Sequence, residues 1–252
     1  MNTDQTLSDI LNRLKAGQAN EDIWQEVREL LASASPQDLP HIEAQLREAG
    51  LEPQDLRHLC SAHLELFAGA VDRLRQRVPA GHMLDTLVAE HEMILGFLDE
   101  LEAANRTIQS MDRFDPQRDE FDTLRHLAEH LVETEKHHQR EEDVLFPEVE
   151  AHGLTGPSDV MRLEHEEMRP INRELRELAD SAESIDFDWF KNRLNAMTEA
   201  LVPTLREHIA KENNVLYPAA LEAIDSPERW EQMRQRCDQI GYCCFTPASG
   251  RV

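Results

Sequence analysis

The sequence predicts an all-α protein, on three observations. Good helix formers dominate it (Leu, Ala, Glu, Gln and Arg), while glycine numbers only 9 residues and aromatics make up 5%. Strands lean on aromatic and β-branched residues instead. Apolar residues return every three or four positions through each long segment, the spacing of a helix with one buried face. The second part of the chain also repeats a helical hairpin with its polar residues in matching places. At 252 residues and 40% hydrophobic content, the chain can build one large core or two smaller ones.

In order along the chain, residues 4–15 place Leu7, Ile10, Leu11 and Leu14 on one face, and Gly17 stops that helix. Residues 20–34 continue with Ile23, Trp24, Val27, Leu30 and Leu31. Ser35 caps a third helix with Pro36 in its first turn, and Gly50 ends it. A fourth runs from about Pro53 to Arg77 through Leu56, Leu59, Leu66, Phe67 and Leu74. Val78-Pro79-Ala80-Gly81 breaks the pattern, which puts a small helical domain at 1–78. Four longer helical segments are expected at 83–109, 116–151, 158–182 and 186–223, forming a second domain at 82–223. A short helix near 226–240 and an irregular tail make up 224–252. Pro147, Pro170, Pro203 and Pro218 fall within or near the ends of these segments, so kinks or frayed ends are expected there.

The formal net charge of −24 repels phosphate backbones and anionic lipid alike, so neither a nucleic-acid nor a membrane partner is expected. Met1 to Asp9 is polar and lacks a basic start and apolar run, and no stretch approaches the roughly 18 apolar residues of a membrane span. A cytoplasmic protein with reduced thiols at Cys60, Cys237, Cys243 and Cys244 is the expectation.

The repeat carries the chemistry. Glu90-His91-Glu92-Met93 is echoed by Glu164-His165-Glu166-Glu167-Met168, and the run from His137 to Pro147 by the run from His208 to Pro218. The paired histidines lie 46 and 43 residues apart. His137 and Glu141 are four apart and share a helix face, as do His208 and Glu212. His91 and His165 sit on the preceding helix of each hairpin. Four imidazoles and two carboxylates suit two metal ions, each taking two histidines with both glutamates bridging, and the nitrogen-rich set favours iron over calcium or magnesium. Manganese and zinc accept the same donors. A bridging oxide or hydroxide would offset the remaining positive charge. A site of this composition leaves room for an exogenous molecule such as O2 or NO.

On these residues the segment 82–223 resembles the hemerythrin-like, or HHE cation-binding, family, and its ligand spacing is similar to the branch that repairs iron centres. Residues 1–78, with Leu59-Cys60-Ser61-Ala62-His63 and Leu66-Phe67, resemble the small uncharacterised helical domain found ahead of some bacterial hemerythrin-like domains. The stretches Gly153 to Met161 and Ile240-Gly241-Tyr242 resemble the same two-part family. The resemblance implies an up-down four-helix bundle with a non-haem di-iron centre at His91, His137, Glu141, His165, His208 and Glu212. It also implies a role in binding or sensing O2 or NO, or in handling iron under stress. Oxygen carriers of the family use five histidines, and only four match here, which argues against simple oxygen transport. The alternatives are a di-iron enzyme that repairs iron centres or reduces NO or peroxide, and a metal-independent helical interaction module. In the di-iron reading the N-terminal helices would transmit the state of the site or bind a protein partner.

The neighbouring residues are read more plainly. His130 would line the gas pocket or add a fifth imidazole, with a core histidine bonded to a facing Glu as the favoured reading. His138 should point about 100° away from His137 on an ideal helix, and its alternative pairing with Glu142 yields to the repeat. One of Glu90, Glu92 and Glu166 would orient a ligand imidazole while most of them face solvent. Cys60 and His63 could share a metal, although a buried thiol is the plainer reading. Cys243 and Cys244 are taken as part of an inert tail rather than a redox pair.

Overall fold

Long amphipathic segments with few glycines leave the chain little choice but helix, and no strand occurs among the described residues of this computed structural model. These residues are 3–16, 21–33, 42, 45–46, 49 and 69–248. The helices are α1 (Thr3–Lys15), α2 (Glu21–Ser33), α3 (Ala70–Arg77), α4 (Met83–Gln109), α5 (Asp119–Glu133), α6 (Glu135–Arg140), α7 (Phe146–Ala151), α8 (Thr155–Ser181), α9 (Phe187–Lys211), α10 (Tyr217–Ala223) and α11 (Pro227–Ile240). Apart from residues 42, 45–46 and 49, the expected third helix lies outside the described residues, as do residues 53–68 of the expected fourth with Cys60 and His63.

The chain packs into two compact units. One comprises Met1–Arg77, Glu142–Leu163 and Ala210–Trp230. In it, α1 and α2 bury Leu7, Ile10, Leu14, Ile23, Val27 and Leu30, and Arg13 pairs with Glu26 at 2.6 Å. Helix α3 lies against α10 and Arg77 pairs with Glu222. Arg162 reaches Glu150 and stacks over Phe146 at 5.0 Å, and Arg229 reaches Glu148 at 2.5 Å.

The other unit comprises Val78–Glu141, Glu164–Ile209 and Glu231–Val252. Its core is shared by four helical stretches: Ile94 to Ile108, Phe121 to Leu131, Met168 to Ala182 and Phe190 to Ile209. Phe114, Phe121, Phe187 and Phe190 form a ring cluster towards one end of this core. Helix α4 begins where His82 Nδ1 accepts from the Leu84 backbone N–H at 3.2 Å, so His82 is a cap.

Two starts differ from the sequence expectation by three residues. Asp115 accepts from the Gln117 N–H and its carbonyl from the Arg118 N–H, a turn that delays α5 to residue 119. Helix α8 starts early, at Thr155, because Pro157 falls in the first turn, where a missing N–H costs nothing.

The prolines divide into two kinds. Pro170 and Pro203 lie inside continuous helices. Pro147 and Pro218 instead follow π turns at Glu141–Leu145 and Glu212–Leu216. A helical proline clashes with the carbonyl four residues back, here Asp143 and Asn214, and both lie within the widened turns. The π turn relieves that clash, and each one opens on a predicted ligand glutamate.

Phe190 is fully buried in the ring cluster. Phe190→Ala should lower the unfolding free energy of the metal-free protein by about 3–5 kcal/mol in urea titration.

Candidate metal centre

Ligand histidines buried in a helix bundle need their second ring nitrogen satisfied, and the duplicated Glu-His pair supplies the partner. Glu90 on α4 accepts from His137 Nδ1 at 2.7 Å, and Glu164 on α8 accepts from His208 Nδ1 at 2.8 Å. Each glutamate immediately precedes a candidate ligand, His91 or His165, but serves the histidine of the neighbouring helix. This fixes the tautomer and turns Nε2 of His137 and His208 inward. There Nε2 of His137 meets that of His91 at 3.0 Å, and Nε2 of His208 meets that of His165 at 3.0 Å. All four rings are at most 1% exposed.

Glu141 links the two imidazole pairs. Its Oε2 lies 3.5 Å from Nε2 of His137 and 3.5 Å from Nε2 of His165, and the residue is fully buried. Glu212 belongs to the other compact unit, where it opens the second π turn and is likewise fully buried. The five predicted ligands His91, His137, Glu141, His165 and His208 therefore converge within one unit.

The donor set fits a pair of metal ions. Two imidazole nitrogens 3.0 Å apart stand as adjacent ligands on one ion would, given metal–nitrogen bonds of about 2.0–2.1 Å. Burial pushes the His137 pKa down to about 4, so the ring is neutral and its lone pair available. These residues would hold the ions in two histidine pairs with Glu141 between them.

His138 adds a histidine beside the expected set. It is buried, stacks on His165 with ring centroids 3.9 Å apart, and offers a nitrogen within 4.8 Å of donor atoms on His165 and His208. The N–H groups of both His137 and His138 bond the Thr134 carbonyl, at 2.9 and 3.1 Å. His137 faces His91 while His138, the next residue round the helix, faces His165 on α8, so two consecutive histidines are buried. Glu164 was visible in the sequence as part of the repeat, but its task was not. Its equivalence to Glu90 could have revealed it. Glu92 and Glu166 are exposed, as expected.

The Glu90 half of the centre carries extra support. Arg140, 1% exposed, bonds both Glu90 oxygens at 2.8 and 2.6 Å, and Thr246 Oγ1 donates to Glu90 at 2.5 Å. Burial alone would raise the Glu90 pKa. The hydrogen bonds and positive charge around the carboxylate outweigh that and hold it down at about 2. The tail is thus built into the structure: Gly241, at φ 91°, closes α11, and the next residues bring Tyr242 under Arg140 and Thr246 onto Glu90. Cys243 donates to the Glu133 carbonyl at 3.3 Å.

Two outcomes follow. Arg140→Leu would strand a buried carboxylate and should cost about 3–5 kcal/mol, with much of it regained in Arg140→Leu/Glu90→Gln, both read by chemical denaturation. Burial pushes the thiols of Cys237 and Cys243 up to about 12. Their raised values favour the fold fully below the ordinary thiol range near 9, and that contribution fades as pH rises through about 12. Peptide mapping after iodoacetamide treatment at pH 8 should find both unmodified in the native protein and both alkylated in urea.

Known proteins share parts of this sequence. Residues 82–220 match the family model described as the hemerythrin HHE cation binding domain. Residues 7–73 match a family of unknown function, DUF438. The chain is 33% identical over 95 residues to the iron-sulfur cluster repair protein YtfE of Salmonella schwarzengrund (strain CVM19633). That similarity covers 35% of this chain and 42% of the relative, so the chain spans less than half the length of the curated relative it matches. The extent of the first match places the chain in the hemerythrin HHE cation-binding domain family.

Proposed function

We propose that this protein holds two non-haem iron ions and uses them to bind or sense O2 or NO, or to handle iron under stress. The proposed ligands are His91, His137, Glu141, His165, His208 and Glu212. The observation that carries this reading is the position of one Glu141 oxygen, 3.5 Å from the Nε2 of His137 and of His165, where a carboxylate can serve two ions. The repeat adds Glu212, at the place after His208 that Glu141 holds after His137. His138 is a candidate fifth imidazole beside His165 and His208, which would make the two ions unequal in donors.

An iron pair would supply redox change and an open position for a diatomic molecule. The protein's own part is to keep water out and fix the imidazoles. Among the described residues no helix is long and apolar enough to cross a membrane, and a net charge of −24 disfavours polyanionic partners. We read the organisation as a helical segment at 1–78 that offers a surface to a protein partner, the metal-binding bundle at 82–223 and a C-terminal segment at 224–252, in a cytoplasmic protein.

A second reading, favoured by the similarity to an iron-sulfur cluster repair protein, is an enzyme acting on damaged iron centres. Multiple-turnover restoration of a damaged cluster, or sustained consumption of NO or peroxide, would select it over a sensor.

Protein purified without oxygen should contain about two irons per chain, following the two histidine pairs. Oxidation should bring charge-transfer absorption in the near ultraviolet, and O2 or NO should change it. Glu141→Ala should remove most of the metal, whereas His138→Phe should weaken one ion more than the other in competitive chelation. A metal content near zero with native helicity would overturn the proposal.

A further inference from the structure

Outside the metal cluster, three side chains of the second unit form a chain of their own at the surface. Cys244 is exposed, and its Sγ lies 3.3 Å from His130 Nδ1. His130 Nε2 lies 2.8 Å from His126 Nε2. Two distributions of protons satisfy both contacts, and in one of them the thiol donates to Nδ1 of His130 while Nε2–H of His130 donates to the bare Nε2 of His126. The central ring is held in place, stacked on Phe97 at 4.7 Å and met edge-on by Phe245 at 5.6 Å.

The donor atoms do not converge on a common point. The sulfur and the His126 nitrogen take opposite nitrogens of one ring, an arrangement suited to moving a proton rather than to sharing a cation. It has the form of an activated nucleophile: thiol, base, and a third group that orients the base.

We infer that Cys244 is a reactive thiol with His130 as its general base and His126 as the positioning residue, and that it undergoes exchange with external low-molecular-weight disulfides. In the step, the Cys244 proton passes to His130 Nδ1. The thiolate attacks one sulfur of the disulfide, forming a Cys244 mixed disulfide while the original S–S bond breaks. The departing thiolate takes the proton back from His130. Cys244 is oxidised to the disulfide level, and one half of the reagent is reduced to a thiol. Cys243 is not its resolving partner, since that sulfur is buried against the Glu133 carbonyl.

His130 suits the role of base. Burial, and the charge of His126 when protonated, lower its pKa, against the raising influence of Glu129 and Glu133 on the same stretch of chain and Glu100 on α4. It is therefore neutral and able to accept a proton at neutral pH. The reaction needs no metal, so it stands apart from the iron reading.

The test is the rate of modification at Cys244 by dithiodipyridine from pH 5 to 9, with quenched samples resolved by peptide mass mapping. It is run on the full chain with and without added iron. Native Cys244 should react at pH 7 on the order of tenfold faster than in the urea-unfolded chain, a modest general-base effect because a thiol is already partly ionised there. His130→Phe, which keeps an aromatic ring on Phe97, should lose that advantage and move the rise in rate to higher pH. His126→Gln should lie between the two. Equal rates in native and unfolded wild-type chain would overturn the inference, whatever the variants do. A His130→Phe variant with native helicity and the wild-type profile would overturn it as well.

Discussion

Four imidazoles with their Nε2 atoms turned toward one another are a poor thing to bury unless something holds their outer edges. The hydrogen bonds from His137 Nδ1 to Glu90 and from His208 Nδ1 to Glu164 do this, across neighbouring helices. Each bond fixes a tautomer, a ring plane and the spacing of two helices at once. Lose it, and the inward nitrogens no longer face each other at 3.0 Å. The carboxylate also needs a counter-charge in a dry core; Arg140 provides it for Glu90, and Thr246 adds a hydrogen bond. The hydrophobic core around Phe121, Phe190 and Leu194 gives the frame, but the carboxylate–imidazole pairs decide what it encloses.

Much of this was legible in the sequence. Helix α4 runs over residues 83–109 as the apolar spacing indicates, and the terminal helix starts within a residue of its expected place. The five predicted ligands within the second unit converge because His-x-x-x-Glu is a local statement about one helix face, and the repeat fixes which pairing applies. What escaped notice depends on departures from ideal geometry. His138 is buried because its side of the helix, about 100° from that of His137, meets His165 on α8, and the sequence does not show which neighbouring helix covers that side. The Cys244 partner of His130 escaped for another reason. It depends on where the chain goes after Gly241, a matter of long-range packing that places Cys244, 114 residues away, beside it.

The tail shows how function and stability share residues. An irregular, polar C-terminal run reads as dispensable, yet Thr246 is 5% exposed and bonds Glu90. Within two neighbouring positions, Cys243 is sealed against the Glu133 carbonyl while Cys244 meets solvent and an imidazole. A turn closed by the Thr246 N–H on the Cys243 carbonyl, at 3.1 Å, divides the two thiols into one inert and one accessible.

The paired π turns have an effect on the chain's tolerance of length changes. Each accommodates one residue more than an α-turn would, so the extra residue is absorbed within the turn and the residues beyond it keep the phase of a regular helix one residue shorter. Phe146 and Val149 follow the first turn and Tyr217 and Ala220 the second, and all four are buried. Removing a single amino acid from either turn would restore regular helix while leaving these side chains on the face they already occupy. The two places where the backbone looks least regular are therefore where it can best absorb a deletion that spares the glutamate.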